Sequence, residues 1–347
     1  MIYFADSEQA LKIPALGYEN ERAELYILQN KVVLNPNAPL IATMDLAGNF
    51  SFQPSSFFRY YAALKMQIPD VDDTIKVLPF IQLFKIQIKI KGNQIFETDY
   101  NLIAGSSNYD FESRYTNRFL TALPTTIEAY PNEPVIRYCY LNKIQNGISL
   151  AGTIYFDDGT TQTYLIPQFT SIENEQMFFI NFGLESIQSV VSSAKTVKSF
   201  TALFVDNDNV FRLSSVMNII IKKTPNYNPF TLCYRSSLGV FEYITLTQRT
   251  FKPDANKMKA SLPNNEEQYI YSEVSDKIGV TTGTIRTSLA GTILKELAQT
   301  NEIYQLSGAK YIPLLIDTNS IPSVDLEAVN QVLNLEFTVA KNKMNYA

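Results

Sequence analysis

Apolar and polar residues alternate with a period of two along most of this chain. In FKIQIKIKGNQIFETDY (residues 84–100), Ile86, Ile88 and Ile90 fall on one side, and Lys85, Gln87, Lys89 and Lys91 on the other. Successive side chains of a strand point to opposite faces, so the pattern predicts a strand with one wet face. Gly92-Asn93 predicts the turn that leads into Ile95 and Phe96. GTIYFDDGTTQTYLIP (152–167) repeats the arrangement with Asp158-Gly159 as its turn, and SFTALFVDNDNVFRLSSV (199–216) repeats it around Asn207-Asp208-Asn209. NIIIKK (218–223) and YIPLLIDT (311–318) read as single buried strands. Short strands at such regular spacing predict β-sandwich modules.

Helical periodicity is scarce. TSLAGTILKELAQT (287–300) places Leu289, Ile293, Leu294 and Leu297 on one face of a short amphipathic helix, with Lys295 and Glu296 outside. GVTTGTIRTS (279–288) reads as the loop into that helix, with Thr287 or Ser288 as its N-cap. GLESIQSVVSSA (183–194) predicts a turn or two of helix; NRFLTALP (117–124) is undecided, because Pro124 would stop any helix there. PNNEEQYIYSE (263–273) reads as a polar surface loop. Polar, turn-rich residues 105–117 and the two-proline stretch 223–230 divide the chain into an N-terminal β-domain (1–104), a second β-sandwich domain (105–224) and a C-terminal α+β domain (225–347). The expected class is mainly β and multi-domain, with β-sandwich modules and a small α+β module at the C-terminal end.

Composition narrows the chemistry. Of 347 residues, 46% are apolar and 18% charged, so the surface depends on Asn, Gln, Ser, Thr and Tyr. A net charge of −5 argues against nonspecific nucleic-acid binding, which needs clustered Lys and Arg. The first residues carry Asp6 and Glu8 and lack a basic then apolar run, so no signal peptide is expected; no apolar run of membrane-spanning length occurs either. Cys139 and Cys233 stand far apart in apolar runs and read as small buried hydrophobes. The chain contains no histidine, which excludes Ser-His-Asp and Cys-His arrangements, histidine metal sites and histidine bases.

Two acidic clusters invite a metal reading. Asp70, Asp72 and Asp73 sit in PDVDD, where a solvated Pro-Asp turn is the simpler account. Asp206 and Asp208 in VDNDNV lack the glycine and distal glutamate of a calcium loop and read as a hairpin turn. No cofactor or metal is expected. The 21 tyrosines and 22 phenylalanines, with no tryptophan, suit strand cores and protein contacts equally. Candidate interface residues fall in LCYRSSLGVFEYITLTQRTF (232–251): Tyr234, Phe241 and Tyr243 as aromatic strand positions, and Gly239 as the residue that lets the chain turn.

Three stretches resemble recurrent patterns in tail or baseplate proteins of phages and prophages of Bacteroidetes bacteria. They are RFLTALPTTIEAYPNEPVIRYCYLN (118–142), LCYRSSLGVFEYITL (232–246), and EIYQLSGAKYIPLLIDTNS (302–320) followed by LNLEFTVA (333–340). PLIATMDLAGNFSFQPSSFFRYYAAL (39–64) is a fourth, weaker match. The matches run in order from about Pro39 to Ala340; Tyr234, Ser236, Val240 and Glu242 stand where that family usually has Trp, Asn, a second Gly and Asp. The resemblance implies a structural virion protein rather than an enzyme, assembled in the host bacterial cytoplasm. It would be a homo-oligomer, expected as a ring, that scaffolds other tail or baseplate proteins without nucleic-acid or membrane contact. The other readings are a receptor- or glycan-binding adhesin and, more remotely, a glycoside hydrolase with paired carboxylates.

Overall fold

The computed structural model describes residues 2–4, 11–14, 17–18, 21–54, 75–78, 82–103, 116–141, 147–169, 176–191, 194–207, 212–222, 229–261, 267–300, 302–308, 310–316 and 321–339. Over these residues the chain is mainly β, built from several sheets and a closed barrel. No described helix is long and apolar enough to cross a membrane.

The first unit uses β1 (Ile2–Phe4), β2 (Leu11–Pro14), β3 (Arg22–Gln29), β4 (Val32–Val33), β5 (Leu40–Thr43) and β6 (Asn49–Phe52). β7 (Ile75–Leu78) belongs elsewhere, and β8 (Gln82–Ile90) and β9 (Asn93–Ile103) complete the unit. The sheet runs β1-β9-β8-β3-β4, with β5 also on β3; β2 and β6 pair separately. The alternating isoleucines of β8 face inward, so Phe84, Ile86, Ile88 and Ile90 pack with Leu25 and Ile27 of β3 and Phe50 and Phe52 of β6. The β8–β9 turn is centred on Lys91 and Gly92, one residue before the expected Gly92-Asn93. Both have positive φ (50° and 80°), as a two-residue hairpin turn matching strand twist requires, and Asn93 already pairs with Ile90.

The second unit contains β10 (Arg118–Leu120), β11 (Thr126–Ala129), β12 (Ile136–Leu141), β13 (Ile148–Phe156) and β14 (Thr161–Phe169). It continues with β15 (Gln176–Asn181), a short 3-10 helix (Leu184–Val190), β16 (Val197–Asp206) and β17 (Met217–Ile221). They form two facing sheets, β10-β12-β15-β7 and β11-β17-β16-β13-β14. β7 therefore leaves the first stretch of chain to pair antiparallel with β15. Cys139, Leu141, Phe178 and Ile180 of one sheet meet Leu150, Ile154, Phe200, Phe204 and Ile219 of the other. β12 is buried along its whole length. Its second face, carrying Ile136, Tyr138 and Tyr140, packs against the third unit.

That third unit is the barrel β18-β19-β20-β23-β22-β21, made of β18 (Pro229–Arg235), β19 (Phe241–Ser261), β20 (Glu267–Arg286), β21 (Ile303–Ser307), β22 (Lys310–Ile316) and β23 (Asn330–Val339). Helix α1 (Thr287–Gln299) lays Ala290, Ile293, Leu294 and Leu297 against its interior residues, among them Phe230, Leu232, Leu335 and Phe337. Two readings are corrected here. Residues 279–286 are strand rather than loop: β20 runs to Arg286 through an irregularity where Gly283 has φ 67°. Residues 267–273, read as surface loop, are strand as well, because they pair with β19 from Ser261 to Asn256. The helix begins without a side-chain cap; the Thr287 amide donates to Val329 O and its hydroxyl to Ala328 O, and β23's approach replaces the cap. The joining segments 105–115 and 223–228 lie outside the described residues, as do 263–266.

Gly152 shows how tightly the second sandwich is drawn together. A Cβ there would sit 1.8 Å from the Thr201 carbonyl oxygen, which accepts the Tyr164 hydroxyl at 2.8 Å. The β13–β16 register lacks partners at Gly152 and Thr153 where this approach occurs. Gly152→Ala should therefore cost about 1–3 kcal/mol or more through forced strand displacement, read as a lowered urea midpoint. An unchanged midpoint would show that the strands do not approach so closely.

Candidate functional site

The stretch around the β18–β19 turn lies where the second unit meets the barrel. β18 ends at Arg235 and β19 begins at Phe241. Between them the Ser236 amide donates to Val240 O at 2.8 Å, the Gly239 amide to Ser236 O at 2.8 Å, and the Ser236 hydroxyl to Val240 O at 3.0 Å. Gly239 has φ 78°, the left-handed region that residues with a Cβ enter at a cost. The turn is not a wet loop. Leu238 and Val240 are buried with Phe241 and Tyr243 against Leu120, Tyr138, Tyr140 and Phe179 of the sandwich sheet.

Polar side chains then tie this turn to three other elements. Arg235 forms a two-pronged pair with Glu302, Nε to Oε1 and Nη2 to Oε2 both at 2.9 Å, and its guanidinium lies 4.7 Å from the centre of the Phe241 ring. Ser237 donates its amide and its hydroxyl to the carboxylate of Glu296, the hydroxyl at 2.8 Å. Glu296 is thus buried, not on the outer face of α1; a carboxylate can turn inward because two donors from the turn meet it there. Glu242, one residue into β19, accepts the Thr121 hydroxyl at 3.0 Å and the Ala122 amide at 2.8 Å. Arg137 of β12 approaches it to 3.5 Å, and this pair is almost fully buried, at 2% and 1% exposure.

Burial raises the Glu242 carboxyl above the ordinary glutamate range, while Arg137, Thr121 and the Ala122 amide pull it back down. Arg137 also donates to Ile136 O at 2.7 Å, yet its Nε has no hydrogen-bond partner among the described residues. The residue beyond Ala122 completes the join: Leu123 enters the barrel core beside Phe230, Leu232 and Leu246. Beyond it an open cleft of about 800 Å³ separates β11 from the place where β19 and β20 part, lined by Thr126, Glu128, Thr245 and Ile285 among others. Glu133 spans its edge, accepting the Thr245 hydroxyl and the Tyr130 amide, the latter at 2.9 Å.

The four candidate residues take different positions. Tyr234 lies wholly inside the barrel, where its hydroxyl has no hydrogen-bond partner among the described residues. Phe241 lies under Arg235, and the Tyr243 hydroxyl meets that of Tyr311 at 2.9 Å. Gly239 shapes the turn. Arg137, Glu242 and Glu296 were missed as members of this group. For two of them a signal was present: Arg137 and Glu242 are each the one charged residue in a largely apolar strand run. Cys139 and Cys233 are buried free thiols whose pKa burial pushes up, so they resist ionisation. Asp70, Asp72, Asp73 and Asp208 lie outside the described residues. Among the described residues no cluster of three or more acidic or cysteine side chains is placed to hold a metal ion.

No known protein family matches the chain, and no curated protein matches it. Among solved structures, the four N-terminal Ig domains of Dscam1 isoform 7.44 align over 81% of this chain and 71% of theirs, at 9% identity and a TM-score of 0.17. SGBP-B of a Bacteroides ovatus mixed-linkage glucan utilization locus, in complex with a mixed-linkage heptasaccharide, aligns over 79% of this chain and 65% of its own, at 9% identity and a TM-score of 0.17.

Two measurements test the junction. Removing one member of a buried pair strands the other, so Arg137→Ala and Glu242→Ala should each cost about 3–5 kcal/mol. Arg137→Met combined with Glu242→Leu should cost clearly less than Arg137→Met and Glu242→Leu made singly and summed, as a double-mutant cycle in urea would read; simple additivity would mean that the two side chains act independently. Burial also raises the carboxyl of half-buried Glu133 above its ordinary 4.5, against the opposing Thr245 and Tyr130 hydrogen bonds. The folded chain then holds that proton more tightly than the unfolded one. Its stabilising contribution is complete below about pH 4.5 and is lost as pH rises through the folded value. Glu133→Gln should therefore gain stability relative to the native chain as pH rises from about 4.5 to about 8; a constant difference would refute the shift.

Proposed function

We propose that this chain is a structural protein of a bacteriophage tail tip or baseplate, which self-associates and holds other tail proteins in place. One observation carries this reading. The three stretches that resemble tail proteins are distant in sequence, yet they meet at one junction. The 118–142 stretch supplies Thr121, Ala122 and Arg137, and the 232–246 stretch supplies Glu242, so the first is joined to the second by two hydrogen bonds and a buried ion pair. The 302–320 stretch supplies Glu302, which holds Arg235 of the second. That the matched stretches lie together, rather than scattered over the surface, supports the reading.

The polar side chains at this junction are spent on holding units together, which supports a scaffold rather than a catalyst. Glu242 and Glu296, its most buried carboxylates, already accept hydrogen bonds from the chain itself. In this reading the protein is made in the host cytoplasm and ends in the virion, in contact with copies of itself and with neighbouring tail proteins.

Mass spectrometry of the intact purified protein, with negative-stain electron microscopy, tests the reading. The expected result is a defined closed oligomer seen as a ring, with no saturable binding on a glycan array. A strictly monomeric protein with saturable sugar binding would overturn it in favour of an adhesin.

A further inference from the structure

The pairing of β19 with β20 extends well past the barrel. β19 leaves β18 at Thr247, and β20 first meets β23 at Lys277. From Lys252 to Ser261 on one strand and from Glu267 to Asp276 on the other, the two pair with each other alone among the described residues. At about 3.3 Å per residue this is a two-stranded ribbon roughly 30 Å long. A lone two-stranded ribbon is marginally stable in water and needs an apolar face or a further strand. Its first strand is mostly polar in sequence: alternate positions read Lys252, Asp254, Asn256, Met258 and Pro253, Ala255, Lys257. What the ribbon does offer is two outer edges whose main-chain donors and acceptors pair with no further strand among the described residues.

The two strands differ in charge. Residues 252–261 carry three lysines against one aspartate, whereas residues 267–276 carry two glutamates and one aspartate with no lysine or arginine. The second strand also holds the β-formers Tyr269, Ile270, Tyr271 and Val274. Opposite charges on facing strands favour pairing and like charges oppose it. Contact between two β20 edges would set acid against acid, and contact between two β19 edges base against base. Only β20 of one copy against β19 of another brings unlike charges together.

We infer that the ribbon is an assembly arm, in which the acidic β20 edge of one copy adds to the basic β19 edge of a second copy of this chain. Such contact is head-to-tail, so each copy keeps one edge of each kind to give and to receive, and repetition closes a ring or extends a filament. Charge alternates from strand to strand through the shared sheet, within each ribbon and between ribbons alike. The inference rests on the self-association in the proposed function but not on the virion assignment.

Three variants of the full chain test it by analytical ultracentrifugation and intact-assembly mass spectrometry. Replacing residues 253–276 by a two-residue Asn-Gly turn, which keeps Lys252 opposite Lys277, should leave the thermal midpoint of the barrel intact and yield monomers. Lys257→Glu with Lys259→Glu should weaken self-association by at least about tenfold, as should Glu267→Lys with Glu273→Lys. Mixing these two charge-reversed chains should restore assembly with alternating copies, because every intermolecular edge then regains unlike charges. If the ribbonless chain still folds and forms the native oligomer, the arm is wrong while the scaffold reading stands. A native oligomer that stops at a two-fold dimer, or charge-reversed chains that fail to associate when mixed while each stays folded, would overturn the head-to-tail pairing.

Discussion

The buried contact between Arg137 and Glu242 is the constraint around which the sandwich and the barrel are arranged. Taking two charges out of water costs several kcal/mol per ion, and attraction alone repays this only with good geometry and further hydrogen bonds. At 3.5 Å the Arg137–Glu242 approach is not a tight pair, and Arg137 Nε lacks a partner among the described residues. Glu242 makes up the deficit through Thr121 and Ala122. The raised carboxyl pKa carries the same message: desolvation exceeds the compensation. Such an arrangement contributes less to total stability than an apolar substitute would, and more to fixing which loop meets which strand.

The apolar contacts at the junction explain why that direction is needed. β12 buries Cys139 and Leu141 on one face and Ile136, Tyr138 and Tyr140 on the other, so it serves two cores at once. Hydrophobic burial is roughly proportional to area and carries little orientation of its own. Burial of an aromatic sheet face against a barrel wall therefore does not by itself fix their relative position. The bonds from Thr121 and Ala122 fix that position and deliver Leu123 into the barrel core. Arg235–Glu302 and Ser237–Glu296 do the same for β21 and α1 around the turn.

Much of this was legible in the residue pattern, and the exceptions have physical causes. Period-two runs such as residues 84–90 named their inward face directly, because one side of that sheet meets water and the other does not. The pattern failed where both faces are covered: β12 shows no polar alternation, so its double role could not be read. It failed again at residues 267–273, where polar residues suggested a loop although main-chain pairing with β19 holds them extended. Glu296 was placed outside by helical geometry alone, which is blind to a donor pair brought by a turn some sixty residues earlier. The buried charges left a trace as isolated polar residues in apolar runs; only the fold shows that Arg137 and Glu242 answer each other.

One strand links the junction to the ribbon. β19 runs from Phe241 to Ser261, with Glu242 near its first residue and the free ribbon in its last ten. Where β18 and β23 flank the β19–β20 pair, its direction is set by the barrel; where they stop, only the paired strands continue. The hydrogen bonds that orient the sandwich on the barrel therefore also fix how the sandwich lies relative to the ribbon. In a head-to-tail assembly the angle between successive copies decides whether they close on themselves or wind into a filament. The polar junction, weak as a source of stability, thus decides how the sandwich is presented beside the ribbon, and so which of its faces a neighbouring copy would meet.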